Sequence, residues 1–324
     1  MLEIRGYKEG DEEHILRLFK ASFKKDLPIE LWRWRYKSNP LGTSIIMLMF
    51  DDDLLVGHYG VTLTHVLING DKKRAALSMT TMTHPYYRGR GIFVDLAKRT
   101  YSKCEEEGVE LVYGFPNENI YNARVKKLDW VGFGRVSAWF VDLRKYINNY
   151  NFHHLNKFFI SKIKIFRNDM DVLWEQAMAR CRFIVPRTAK YLNWRYIEKP
   201  GREYHPVAFY GPNGDLDGYA VYKIYHDNNE ARGHIIDLLF KEGNDIPEAI
   251  IDYGLKYFME NNITSISCWI PEACGMENIL QRKKFFRYEW PCYFGIRYLG
   301  TYSGVQSILS WKDLYITMGD SDVF

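Results

Sequence analysis

Short apolar runs bounded by turn-forming residues recur along this chain, and they recur twice in the same order. Residues 45–50 are all apolar and meet Asp51-Asp52-Asp53; residues 207–210 are apolar and meet Gly211-Pro212-Asn213-Gly214. A second strand-like run starts near Gly57 in the first case and near Gly218 in the second. Strand, acidic or glycine-rich turn, strand is the pattern of a hairpin. Ahead of each hairpin stands the same tripeptide: Trp34-Arg35-Tyr36 followed by Pro40, and Trp194-Arg195-Tyr196 followed by Pro200. Leu31 and Leu192 lie just upstream. The frame of helix, Trp-Arg-Tyr and hairpin therefore occurs twice, at an offset of 160 or 161 residues. For Trp34, Arg35, Trp194 and Arg195 the expected work is structural, since Trp buries a large area and Arg commonly satisfies carbonyls or a carboxylate.

Beyond the hairpins the two halves again share a frame. Residues 76–83 read as a strand, and Pro85 keeps His84 extended. Beyond Gly91, residues Phe93, Leu96, Ala97, Tyr101 and Cys104 form a helical stripe ending at Gly108. Residues 109–115 read as the next strand, stopped by Pro116. In the second half, strand 234–240, a helix over about 247–260 and strand 263–270 come in the same order. Each set is a strand–helix–strand crossover.

The two turns that open these helices differ. The first is Arg88-Gly89-Arg90-Gly91; the second is Lys241-Glu242-Gly243-Asn244-Asp245. A glycine-rich turn at a helix N-terminus exposes unpaired N–H groups to an anion, and the helix dipole favours negative charge there. Arg88 and Arg90 add positive charge, so the first turn reads as a phosphate or pyrophosphate cradle. The second has lost the arginines and gained two carboxylates, and it cannot bind in the same way. Neither turn carries the spacing of a Walker loop or of a dinucleotide fingerprint.

Composition narrows the class. With 324 residues, two domains are expected. At 47% hydrophobic and 26% charged residues the chain can offset its ordering entropy, and no apolar run approaches the length of a membrane span. The net charge of +4 is spread rather than concentrated, which argues against nucleic acid as a partner. The N-terminus is polar at once, so a cytoplasmic chain is expected, without a membrane partner. Cys104, Cys181, Cys268, Cys274 and Cys292 form no C-x-x-C pair and read as buried reduced thiols. No metal site is expected; His153 and His154 are adjacent, a spacing that does not suit one metal on one element.

The stretch HPYYRGRGIF resembles motif A of the GNAT acetyltransferase superfamily (Gln or Arg, two residues, Gly, one residue, then Gly or Ala), with Arg88, Gly91 and Phe93 at the signature places. The later Asn117, Asn122-Ala123 and Val131-Gly132-Phe133 resemble that family's Asn-x-x-Ala…Gly-Phe segment. The resemblance implies an α/β fold with a mixed sheet, built as two tandem GNAT domains of which the second is degenerate. Residues 1–145 would hold the donor, 146–179 would connect, with a short helix over 169–180, and 180–324 would form the acceptor side. Acetyl-CoA is the implied co-substrate. The backbone of Arg88, Gly89, Arg90, Gly91, Ile92 and Phe93 would hold its pyrophosphate, and the strand containing Met82 and Thr83 its pantetheine. Asn117 and Asn122 would lie near its far arm.

Two departures from the family pattern bear on this. Phe93 replaces a small residue, and Leu128 stands where many relatives carry a general-acid tyrosine. Tyr121, Tyr86, Tyr87 or Tyr113 could serve instead. Amine acylation also needs a route for the amine proton, and Glu118 and His84 are the nearby candidates. The tandem arrangement resembles that of the N-myristoyltransferases, the peptidoglycan aminoacyltransferases and the Eis-like acetyltransferases. In some such relatives a C-terminal carboxylate acts as base, but a frayed acidic end is the expectation for GDSDVF. The implied function is acetyl transfer to an amine of a small-molecule or peptide acceptor. The rivals are tRNA-dependent aminoacyl transfer to a cell-wall precursor and a non-catalytic acyl-CoA- or sugar-binding module.

Overall fold

Burial along the first apolar run shows why it is a strand. In β2 (Ile45–Asp51), Ile45, Met47 and Met49 pack under one layer of helix, while Ile46, Leu48 and Phe50 pack under another. Only a period of two, covered on both faces, buries six consecutive apolar residues in this way. The covering helices are α3 (Ile92–Glu106) on one face and α1 (Glu12–Phe23) with α2 (Ile29–Tyr36) on the other. This computed structural model describes residues 1–146, 151–178, 181–201, 203–227, 230–243, 245–300 and 309–324.

The first half runs β1 (Leu2–Gly6), α1, α2, β2, β3 (Leu54–Ile68), β4 (Asp71–Thr83), α3, β5 (Leu111–Gly114), α4 (Glu118–Lys127) and β6 (Val131–Asp142). The second runs β7 (Phe159–Lys162), α5 (Asp169–Ala177), β8 (Phe183–Ile184), α6 (Ala189–Leu192), β9 (His205–Tyr210), β10 (Leu216–Asp227) and β11 (Glu230–Phe240). It continues with α7 (Ile246–Glu260), β12 (Ser265–Cys268), α8 (Glu277–Arg282), β13 (Phe286–Tyr298) and β14 (Leu314–Tyr315). Both hairpins expected from the repeat form, as β2–β3 and β9–β10. A further hairpin joins β3 to β4 through Asn69-Gly70, both at positive φ (53° and 87°), as a tight two-residue turn requires. Of the helix expected over 169–180, α5 covers 169–177; residues 179 and 180, like Asn244 of the second turn, lie outside the described residues.

Among the described residues fourteen strands form one mixed sheet, in the order β1-β2-β3-β4-β5-β13-β6-β12-β11-β10-β9-β7, with β8 and β14 alongside. Along the main path, β4 with β5 and β11 with β12 are parallel and the other pairings antiparallel. The order is symmetric about the antiparallel pair β13–β6. It is also exchanged there: β13 of the second half pairs with β5, and β6 of the first pairs with β12. Residues 146–179, expected to be only a connector, supply β7 and α5. These stand to β9 and β10 as β1 and α1 stand to β2 and β3.

A buried polar network anchors the second half. Arg187 donates to Asp320 (2.7 Å) and Asp237 (3.3 Å), and Thr317 and Tyr196 donate to Asp237. Arg187 and both aspartates are almost fully buried, so each charge depends on the others. All five cysteines are buried thiols. Among the described residues no helix is long and apolar enough to cross a membrane.

Candidate functional site

Strands β4 and β5 stay paired from Ala75–Leu111 to Ser78–Gly114 and then part. β5 ends there, leaving through Phe115-Pro116 towards α4, while β4 runs on to Thr83. At the same level β4 bulges. Met79 pairs with Gly60 and Met82 with His58, so Thr80 and Thr81 oppose the single residue Tyr59. Thr80 adopts φ +50°, a left-handed conformation unfavourable for a β-branched residue.

Two side chains hold the bulge. His58 contacts the Thr80 carbonyl through Nδ1 at 2.9 Å, and Arg35 Nη1 donates to Thr80 Oγ1 at 2.7 Å. Burial pushes the His58 imidazole down to about pKa 4, so the ring is neutral. A carbonyl only accepts, so Nδ1 carries the hydrogen.

The parted strands enclose a cleft of about 310 Å³, walled by Arg35, residues 78–81, Phe115, Asn117, Arg124 and Asp322. Arg124, from α4, is 3% exposed and donates through Nη2 to Ser78 Oγ (2.6 Å) and the Tyr59 hydroxyl (3.3 Å). Arg35 departs from the structural expectation: it faces the cleft, whereas its repeat mate Arg195 is buried and holds main chain. Arg195 donates to the main-chain oxygens of Gly319, Ser321 and Phe324.

Those contacts overturn the frayed end expected for residues 319–324. Asp320, Ser321 and Phe324 are buried, and Lys199 also donates to the Phe324 main-chain oxygen, at 2.5 Å. The Phe324 ring packs edge-on against Trp269, 5.4 Å between centroids. This anchoring presents Asp322 to the cleft. On the other side of the same segment, Val323 and Phe324 wall a groove of about 710 Å³ with Trp290, Tyr288, Lys223 and Arg232.

The glycine-rich turn lies beyond the end of β4, after one helical turn at Pro85–Tyr87. Arg88, Gly89, Arg90 and Gly91 are exposed. Gly89 and Gly91 have φ of +80° and +85°, and a Cβ on Gly89 would meet nothing, so an anion could approach the backbone. Gly91 caps α3, Ile92 is buried beneath the helix, and Phe93 tilts against the Tyr59 ring. Arg90 lies over the Tyr87 ring, 4.7 Å away, and Asp95 adds an opposing negative charge to the first turn.

The remaining residues singled out from sequence scatter. Met82 is buried under α1 and α2; Thr83 pairs with Gly57. Asn117 caps α4, accepting from Ile120 N–H at 3.1 Å, and lines the cleft. Asn122 and Glu118 are exposed on α4, Glu118 lying 3.8 Å from Arg135. Tyr121 stacks on Tyr293 at 4.4 Å and its hydroxyl accepts from Gly134 N–H. His84 packs between Tyr86 and Tyr87. Glu118, Tyr121, Asn122 and His84 are absent from the cleft wall. Tyr113 is fully buried, Tyr87 donates to Asp51, and Tyr86 is 84% exposed; Leu128 is buried at the end of α4.

Sequence reasoning missed His58, Arg124 and Asp322. A single local signal was available, a repeat mate for Arg35 whose surroundings differ. Among the described residues no three His, Cys, Asp or Glu side chains are grouped as a metal would need.

Residues 3–127 match the acetyltransferase (GNAT) domain family. No curated protein matches the chain. Among solved structures, a probable N-acyltransferase from Enterococcus faecalis V583 superposes with a TM-score of 0.71 at 13% identity, over 92% of this chain and 73% of its own. A GCN5-related N-acetyltransferase from Anabaena variabilis superposes at 0.68 with 10% identity, over 94% and 74%. A fungal multi-domain β-N-acetylglucosaminidase with a GCN5-related glucosamine N-acetyltransferase region superposes at 0.64 with 13% identity, over 91% and 38%.

Proposed function

We propose that this chain, whose residues 3–127 match the acetyltransferase (GNAT) domain family and whose sheet has the fold of solved GCN5-related N-acetyltransferases, is an acetyl-CoA-dependent N-acetyltransferase acting on an amine. The observation that carries this reading is the parting of β4 from β5 at a bulge, beside a glycine turn that opens α3. Such a gap offers unpaired strand backbone to an extended arm and helix N–H groups to its phosphates.

The fit of the donor rests on the chain's own residues. The exposed backbone of residues 88–91, with Ile92 and Phe93 at the start of α3, would take the pyrophosphate, and Arg88 and Arg90 would add charge. Met82 and Thr83 continue the strand along which the pantetheine would lie, with Asn117 and Asn122 towards its far arm. The donor supplies an acyl group activated as a thioester. The bulge at Thr80 turns main-chain N–H away from the β3 ladder, where it can polarise a carbonyl. His58 and Arg35 keep that backbone in place.

The acceptor amine must lose a proton as its C–N bond forms and the C–S bond breaks. Asp322 is the carboxylate in the cleft wall, and we assign it the amine and its proton. Glu118, Tyr121 and His84 were the sequence-based candidates, and none of them reaches that wall. The body of the acceptor then extends past Val323 and Phe324 into the aromatic, basic groove, which suits a sugar ring or a peptide.

Thermal melting with and without acetyl-CoA tests the reading, on the wild type and on Gly91→Glu. A ligand at about 100 times its dissociation constant adds roughly 2.7 kcal/mol. The expected result is a raised Tm in the wild type alone, followed by acceptor-dependent thiol release in a screen of amines. An unchanged Tm in both proteins would overturn the proposal.

A further inference from the structure

Arg124 sits where β4 and β5 part, and among the described residues its buried charge has no counter-charge. A Cβ on Gly114, the last paired residue of β5, would lie 2.9 Å from Arg124 Nη1. The guanidinium thus abuts the vertex of the gap, and the residue forms part of the cleft wall. Its Nη2 is used by Ser78 and Tyr59, and the Trp130 ring lies 4.3 Å from its central carbon. Its Nε is buried without a hydrogen-bond partner. Among the described residues no carboxylate pairs with it, whereas the other half's buried Arg187 has both Asp237 and Asp320.

Burying an unpaired guanidinium is strongly unfavourable, and arginine cannot escape by losing its proton. A site that keeps such a group is shaped for an anion that arrives with a ligand or forms on it. During thioester aminolysis two atoms become anionic: the acyl oxygen, which the bulge N–H groups would take, and the leaving sulfur, which is left for Arg124. The position at which related sequences carry an acidic tyrosine is here the buried Leu128, so no hydroxyl from that position protonates the sulfur.

We infer that Arg124 is a catalytic residue that receives the sulfur of the acyl donor as a thiolate, by charge rather than by proton transfer. The inference rests on the acetyl-CoA reading proposed for the same cleft. As the amine nitrogen bonds to the acyl carbon, the C–S bond breaks and its electron pair passes to sulfur. The amine proton leaves to Asp322. The thiolate stays ion-paired to Arg124 until release, when solvent protonates it. The groups facing Arg124 are Tyr59 from β3, Ser78 from β4 and Trp130 ahead of β6, with Tyr101 of α3 joined through Tyr59 and Trp130. Arg35 and Asp322 wall the same cleft. Burial holds the Tyr101 hydroxyl well above its usual pKa, so it stays neutral and contributes no competing charge.

Titration of enzyme-bound CoA, followed by the ultraviolet absorbance of its thiolate with desulfo-CoA as the blank, tests this directly. In the wild type the bound thiol should ionise about one unit or more below free CoA. CoA should correspondingly bind about tenfold more tightly than desulfo-CoA at a pH above the ionisation of free CoA, and about equally at a pH below that of the bound thiol. Arg124→Gln should abolish both effects while leaving desulfo-CoA affinity within about threefold, and Arg124→Lys should keep part of them. Wild-type-bound thiol that titrates as free CoA does would overturn the inference, whether or not the variants fold. So would an unchanged thiol titration in Arg124→Gln. If the wild type binds neither CoA nor desulfo-CoA, the donor reading fails and this inference falls with it. If both bind equally, the donor reading stands and this inference alone falls.

Discussion

The indole rings of Trp34 and Trp194 stack on each other, 4.7 Å between centroids and 15° between planes, and each donates its N–H to the other's main-chain oxygen. The distances are 2.8 Å from Trp34 and 3.2 Å from Trp194. Residues that are equivalent in the internal repeat thus meet across its pseudo-two-fold axis. Replacing either Trp by Ala should cost about 3–5 kcal/mol. The double variant should cost less than the sum by about 0.5–3 kcal/mol, because each loss removes the other's partner. Urea unfolding of the four proteins measures this, and strict additivity would refute the coupling.

Acid should loosen the fold through two buried imidazoles. Burial pushes His58 and His234 down to about pKa 4 from the usual 6.5, with the Lys223 ammonium assisting at His234. The unfolded chain therefore takes up protons first. Each histidine's contribution is complete above about pH 6.5 and fades as the pH falls towards 4, by about 3 kcal/mol. His58→Gln should flatten that part of the stability profile, measured as the urea midpoint against pH. An equally steep profile in the variant would count against the neutral, bulge-holding His58.

Two glycines at equivalent positions should behave alike in stability and differently in ligand binding. A Cβ on Gly57 would lie 2.6 Å from both Ile92 and Leu96 of α3; one on Gly218 would lie 2.8 Å from Ile246 of α7. Alanine at either site should cost about 1–3 kcal/mol by forcing the helix off the sheet. Only Gly57→Ala moves the helix that opens with the glycine turn. Its acetyl-CoA-induced rise in Tm should shrink, while that of Gly218→Ala stays at the wild-type size.

Asp320 and Asp322 stand two residues apart and should separate stability from turnover. Asp320 is buried and bonded to Arg187 at 2.7 Å, so Asp320→Asn leaves a buried cation short of charge and should cost about 3–5 kcal/mol. Asp322 is only half-buried at the cleft. Asp322→Asn should melt near the wild type and keep its acetyl-CoA response, yet lose about 100-fold or more in kcat/KM for the amine. Comparable activity in Asp322→Asn would remove it from the proton path.

Much of this architecture was legible in the chain because it depends on neighbours in sequence. The short apolar run of residues 45–50 between turn residues, the Trp-Arg-Tyr repeat and the glycines before α3 all report local geometry, which leaves a trace in residue order. They determined the hairpins, the two crossovers and the asymmetry between the two turns. Tertiary structure alone decided which strand lies beside β5. That neighbour is β13, about 180 residues further along, because the open edge of β5 accepts whichever strand completes its backbone hydrogen bonds in a matching register and not the next one in the chain. It also decided the cleft. Arg35, Arg124 and Asp322 come from α2, α4 and the last residues of the chain, and no spacing relates them. Arg35 and Arg195 share a tripeptide, yet one faces an open gap and the other clasps main chain. Residue order cannot distinguish them, because the difference lies in what each meets across the sheet.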